Sequence, residues 1–166
     1  DFTLLNFVQA QGEQLGGKSR EAAAEAIENN IHKKIVEKIP INPKYYEKMS
    51  AILDELIKAR REGAIAYEKM ISKYEELVKN AESPESNPCY PESIRHSGAL
   101  RALFDNCGED EALALALDSA VRESKQADFR HNEFKERRIK QALYNVLENK
   151  DEVERVYNII VEQGEY

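Results

Sequence analysis

The sequence is poor in cysteine and lacks any long apolar run. Its two cysteines, Cys89 and Cys107, stand alone, and together with His96 they lack the paired close ligands of a structural zinc site. No stretch has the length and hydropathy of a membrane-spanning helix, and no segment resembles a signal peptide. We therefore expect a cytoplasmic protein with reduced thiols.

An excess of cations is also missing. The chain has 24 Lys and Arg against 31 Asp and Glu, a formal net charge of -7, and this balance disfavours a dedicated nucleic-acid-binding surface. Its 166 residues suit one domain, 1–166. The chain starts at Asp1 inside the apolar run DFTLLNFV without an initiator Met, so we expect it to be a piece of a longer polypeptide.

Helical periodicity fills most of the sequence and predicts an all-α fold, an irregular bundle of about six or seven helices. A short extended segment, FTLLNFV, precedes the first helix. A loop rich in Pro and Ser, residues 81–96, joins two helical halves, 1–80 and 97–166. The predicted helices cover residues 19–39, 42–62, 66–80, 98–106, 109–124, 132–149 and 151–163.

Two of these helices carry more specific predictions. Asn42 followed by Pro43 is a typical helix start, and Gly63 is placed to end the helix that begins there. The segment EALALALDSAVRES is apolar on nearly every side, which predicts a helix in the middle of the bundle.

The stretch GEQLGGKS, Gly12 to Ser19, matches the phosphate-loop pattern G-x-x-x-x-G-K-S. A phosphate loop of this kind also needs several parallel strands and a second acidic metal ligand, and the sequence after Ser19 is helical. We interpret the glycines as a loop into the first helix and Ser19 as its N-cap. An autonomous nucleotide-binding protein is the less favoured alternative.

One basic cluster stands out, in the segment DFRHNEFKERRIK. On a helix, Arg137, Lys140 and Tyr144 point away from the apolar face that Ile139 and Leu143 define. The alternative is a solvated face neutralised by the acids nearby. We predict no catalytic, cofactor-binding or metal-binding residue, and the candidate contacts to DNA or to a protein partner are Arg130, Lys135, Arg137, Arg138, Lys140 and Tyr144.

Longer stretches of the chain resemble a known family. The segments ARREGAIAYEKM, and YPES followed by RALFDN, are similar to the C-terminal helical domain of the R (restriction) subunit of type I restriction-modification enzymes. The resemblance covers essentially the whole chain. These are packing and turn patterns that carry no catalytic chemistry.

The resemblance implies a role within a larger enzyme. Such R subunits combine a nuclease domain, two ATP-hydrolysing helicase-like lobes that move DNA, and a C-terminal helical region associated with docking onto the M and S subunits. The implied partners are the M and S subunits, the helicase lobes of the same R subunit, and DNA through the whole complex. ATP and Mg²⁺ belong to the parent subunit, and no cofactor is expected in this fragment. We therefore expect an assembly and coupling module of an ATP-dependent DNA-cleaving enzyme.

Overall fold

The computed structural model describes residues 17–166, with side chains from Arg20 onward, and every regular element in that range is helical. This confirms the all-α class, while the segment FTLLNFV and Gly12 to Gly16 lie outside the described residues. No helix in the described range is long and apolar enough to cross a membrane. The helices are α1 (Gly17–Lys38), α2 (Pro43–Arg61), α3 (Tyr67–Glu82), α4 (Glu92–Arg95), α5 (Gly98–Asn106), α6 (Glu111–Ser124), α7 (Glu133–Leu147) and α8 (Lys150–Val161), with a 3-10 turn at Pro84–Ser86.

Helix starts and ends test the local sequence predictions. Helix α1 begins at Gly17, so Ser19 lies inside its first turn and the prediction that Ser19 is the N-cap is wrong. Helix α2 begins at Pro43 as predicted, and the Asn42 side-chain oxygen accepts a hydrogen bond from the Tyr45 amide at 3.4 Å. Gly63, with φ of +65°, follows the end of α2 in the left-handed conformation that glycine adopts at little cost.

Residues 17–39 and Tyr46–Asn87 form one compact unit, called the first unit below. A buried carboxylate, Glu28, lies inside it. Arg60 donates two hydrogen bonds to Glu28, at 2.6 and 2.9 Å, and the Tyr74 hydroxyl donates a third at 2.5 Å. Since α1, α2 and α3 each supply one member, this network fixes how the three helices align. The apolar core around it includes Ile27, Ile31, Ile35, Leu53, Met70 and Leu77.

Residues Pro40–Tyr45 and Pro88–Tyr166 form the second unit. Within it α5 contacts α4, α6 and α8, and α7 contacts both α6 and α8. The division between Asn87 and Pro88 falls inside the segment 81–96. That segment contains helix α4, which the sequence analysis did not anticipate. The core of the second unit includes Ile94, Leu103, Leu117, Val121, Phe129, Ile139, Leu143, Val156 and Ile160.

Helix α6 does not lie in the middle of a bundle, so the prediction made from its apolar sequence is wrong. Only one side is buried, formed by Ala114, Leu117 and Val121. Leu115 is 38% exposed, and Ala112 and Ala116 are exposed. Alanine is a strong helix former with little apolar area to hide, so an all-apolar appearance built on alternating Ala and Leu does not require burial on every side.

A second polar network ties the Pro40–Tyr45 segment to α5. Asp105 accepts hydrogen bonds of 2.6 Å from the Asn42 amide group and 2.6 Å from the Tyr90 hydroxyl. The Asn106 amide group donates to the Asn42 oxygen at 2.8 Å. Burial raises the pKa of Asp105, although the two donated bonds oppose that shift. The segment that leads into α2 is therefore held by specific side-chain bonds.

Candidate interaction surface

The loop before α7 is anchored by Phe129 and Arg130. Phe129 is buried, and the Arg130 guanidinium lies over its ring, 4.6 Å from the centroid. Arg130 donates hydrogen bonds to three backbone carbonyls of the C-terminal segment, those of Val161, Gln163 and Tyr166, at 2.9, 2.6 and 3.1 Å. Of the six candidate contact residues, Arg130 therefore has a structural role that occupies its guanidinium.

The first turn of α7 is fixed by its own polar groups. His131 adopts a φ of 66°, a conformation that residues other than glycine rarely adopt, and its amide donates to the Glu136 carboxylate at 3.1 Å. The Asn132 side chain caps the helix by accepting from the Lys135 amide at 3.2 Å. The Lys135 ammonium donates to the Ala127 carbonyl at 2.6 Å. Lys135, like Arg130, is thus engaged by the chain itself.

The remaining four candidates lie further along α7, and all four are at least partly accessible. Arg137 pairs with Glu133 at 3.4 Å, but their side chains are 75% and 83% exposed, so the pair is weak and open to exchange. Arg138 is exposed, and Tyr144 is 39% exposed. Lys140 is half-buried and donates to Glu154 of α8 at 2.6 Å.

Three of these four line a groove between α7 and α8, called the α7–α8 groove below. Its volume is about 650 Å³. Three cations and two carboxylates line it, a locally positive balance in a chain of net charge -7. The groove therefore presents positive charge and one aromatic ring to a partner, and its full lining is Arg137, Lys140, Gln141, Tyr144, Lys150, Asp151, Val153 and Glu154.

Two side chains beside Lys140, those of Glu154 and Tyr157, hold it in place. Burial, and after it the Glu136 carboxylate, raises the pKa of Tyr157 to about 12, so its phenol is neutral at physiological pH. The Lys140 ammonium lies 4.7 Å from the centroid of the Tyr157 ring, a distance at which a cation is attracted to the ring face. Lys140 is consequently preorganised by Glu154 on one side and Tyr157 on the other.

Phe134 and Lys150 belong to this region but were not among the predicted contacts. Phe134 is 84% exposed in the first turn of α7, and its spacing from Ile139 and Leu143 already places it off the apolar face. Helical periodicity was therefore a sufficient signal for Phe134. Lys150 enters the groove from the next helix, and its contribution depends on how α7 and α8 pack, which local sequence does not reveal.

The residues that line the α7–α8 groove include no cysteine or histidine. Within residues 17–166, no group of three or more His, Cys, Asp or Glu side chains could hold a metal ion. His96 contacts Glu92 on the surface at 3.0 Å. Burial raises the pKa of the Cys107 thiol, which disfavours the reactive thiolate form.

The chain was compared with protein-family models, with curated proteins and with solved structures, and none of them matches it.

Proposed function

We propose that this chain is an assembly and coupling module of the R subunit of a type I restriction enzyme, docking the motor and nuclease onto the modification core of M and S subunits. The resemblance of ARREGAIAYEKM, YPES and RALFDN to that domain supports the proposal. In the complete enzyme the ATP and Mg²⁺ chemistry belongs to other domains of the R subunit, and DNA is engaged through the whole complex.

The observation that carries the docking role is the α7–α8 groove. Its cations and Tyr144 stand on two packed helices, and two of its members, Arg137 and Tyr144, are of the residue types enriched at protein interfaces. Since Lys140 is already satisfied by Glu154, the cations with exposed side chains are Arg137 and Lys150. That number is small for a surface that must neutralise a phosphate backbone against a net charge of -7.

Direct DNA binding is the second candidate, and the same groove supports it. Arg137, Lys140 and Lys150 form a positive rim beside Tyr144, and a ring flanked by cations suits stacked bases and phosphates. A nucleotide site at Gly12 to Ser19 is the third and least favoured candidate. Titrating ATP and Mg²⁺ into the chain tests it, because saturable binding that Lys18→Ala abolishes would support a phosphate loop.

The decisive experiment compares two ligands for the same chain. Purified modification enzyme, made of M and S subunits from the same system, and a labelled DNA duplex are each titrated against it at constant salt. We expect binding to the modification enzyme, competed by the complete R subunit, and only weak binding to the duplex. Tight duplex binding without binding to the modification enzyme would replace the docking role by the DNA-binding one.

A further inference from the structure

The outer face of α7 adjoins the α7–α8 groove and carries an exposed aromatic ring. It consists of the side chains at positions 134, 137, 138, 141 and 145, which helical spacing places within about a third of the helix circumference. All five are exposed, and none is acidic. The members of this outer face are Phe134, Arg137, Arg138, Gln141 and Asn145.

Phe134 makes this face unusual. At 84% exposure, the ring adds almost nothing to the core of the domain, yet a buried phenylalanine removes on the order of 150–250 Å² from water. Single exposed apolar residues are common, but here two arginines follow one turn later, at the third and fourth positions after the ring. Arginine is enriched in binding hot spots, and phenylalanine is enriched at protein interfaces generally.

The backbone around Phe134 is held in place on both sides. The helix begins only one residue earlier, at Glu133, and its cap Asn132 accepts the Lys135 amide. Upstream, Phe129 is buried and Arg130 holds three backbone carbonyls. The backbone that carries the ring therefore needs no ordering when a partner binds, and this preorganisation strengthens an interface.

Charge identifies the kind of partner. The charged members of the outer face are Arg137 and Arg138, with Glu133 at its edge as a weak partner of Arg137 and Glu123 of α6 lining the same groove as Arg138. The complementary surface is apolar where it meets Phe134 and carries carboxylates around that point. A DNA duplex would satisfy the arginines through its phosphates, but its bases are stacked inside the helix and offer no apolar pocket for the ring.

We infer that the outer face of α7 extends the docking surface of the α7–α8 groove, with which it shares Arg137 and Gln141, and that Phe134 inserts into an apolar pocket of the modification core that carboxylates surround. This inference rests on the proposed function and adds Phe134 and Arg138 to the surface that performs it. Gln141 and Asn145, whose side chains are hydrogen-bonded to each other at 3.2 Å, continue the contact as a polar rim.

The test measures the affinity of the 166-residue chain for the modification enzyme of M and S subunits. We expect Phe134→Ala to weaken binding at least about tenfold without changing the melting temperature, because the ring lies outside the core. Phe134→Leu, which keeps an apolar side chain, should recover part of the loss. The matched control is Ile52→Ala, which removes a side chain 42% exposed on α2 and should leave the affinity within about twofold.

The other outcomes separate the inference from the function beneath it. Equal affinities for wild type and Phe134→Ala would overturn the role of the outer face and leave the docking role intact. Equal losses for Phe134→Ala and Ile52→Ala would also overturn it, since the effect would then not be specific to this face. A Phe134→Ala loss seen only with duplex DNA would assign the face to nucleic acid instead. If the wild-type chain does not bind the modification enzyme, the proposed function itself fails.

Discussion

Glu28 shows what a single buried charge does in the first unit. Its side chain is 6% exposed and is held by Arg60, whose side chain is 11% exposed, and by the Tyr74 hydroxyl. Burial, and then the bond to Glu28, raises the pKa of Tyr74, so the phenol stays a donor. Removing one charge of such a network leaves the other buried without its best partner.

We therefore expect Glu28→Gln to lower the free energy of unfolding by about 3 kcal/mol, measured by urea denaturation. The more exposed Glu21 and Glu25, at 3.5 and 3.9 Å from Arg60, offset only part of the lost charge. Glu62→Gln is the matched control, because its pair with Lys58 at 4.0 Å is exposed, and it should change stability by less than about 0.5 kcal/mol. Similar losses in both variants would contradict a special role for Glu28.

Asp105 gives a prediction about pH. Burial raises its folded-state pKa above the ordinary value of 3.8, so the folded chain binds this proton more tightly than the unfolded chain does. The contribution of Asp105 to stability therefore falls as pH rises from 3.8 through the folded pKa. Asp105→Asn does not titrate, and its stability relative to wild type should rise across that window. Urea unfolding of both proteins at a series of pH values measures this, and a constant difference would refute it.

At the scale of a helix, α6 shows that an apolar side chain is not always a buried one. Leu117 is 0% exposed and Leu115 is 38% exposed, two residues apart on one helix. We expect Leu117→Ala to cost about 2 to 5 kcal/mol by opening a cavity, and Leu115→Ala to cost less than about 1 kcal/mol. Thermal or urea unfolding of the two variants measures the loss of stability in each. Equal costs would mean that α6 is buried on both sides, as its sequence had indicated.

The other helices show why local pattern predicts some elements well. Helices α2, α7 and α8 begin within a residue or so of their predicted starts because caps such as Asn42 and Asn132 act over three or four residues. Helix α4 has only four residues, too few to show a periodicity. For that reason no helix was predicted there. The misplaced N-cap at Ser19 shows that a cap residue alone does not fix a helix boundary.

The residues of the candidate surface also differ in whether local sequence is enough to group them. Arg137, Lys140 and Tyr144 share a side of one helix, so helical spacing was enough to group them. Arg130 lies in the same sequence cluster, but its carbonyl partners are 31 to 36 residues away. Only the tertiary fold shows that it binds the C-terminal segment. Lys150 and Glu154 join the groove through helix packing. Helical spacing therefore grouped three of the four groove residues on α7, and Gln141 was not among the predicted contacts.

For the whole molecule, a net charge of -7 sets the background against which the α7–α8 groove acts. An acidic domain repels DNA at long range and attracts basic partners, so a positive groove within it is a local exception. The groove is a specific contact site only if the positions of its cations, rather than the net charge of the chain, determine how strongly a partner binds. A pair of charge reversals can separate these two contributions.

The double variant Arg137→Glu with Lys150→Glu makes that separation. Both side chains are exposed, and Lys140 is left intact because a glutamate there would face Glu154. If the proposed function holds, this variant of the complete R subunit should assemble with the M and S subunits roughly tenfold or more weakly, with DNA cleavage falling in proportion. The control, Lys33→Glu with Lys48→Glu, makes the same change in net charge at exposed positions of the first unit and should assemble normally. Lost cleavage with assembly intact would place the groove on the DNA path, and equal defects in both variants would show that total charge alone is responsible.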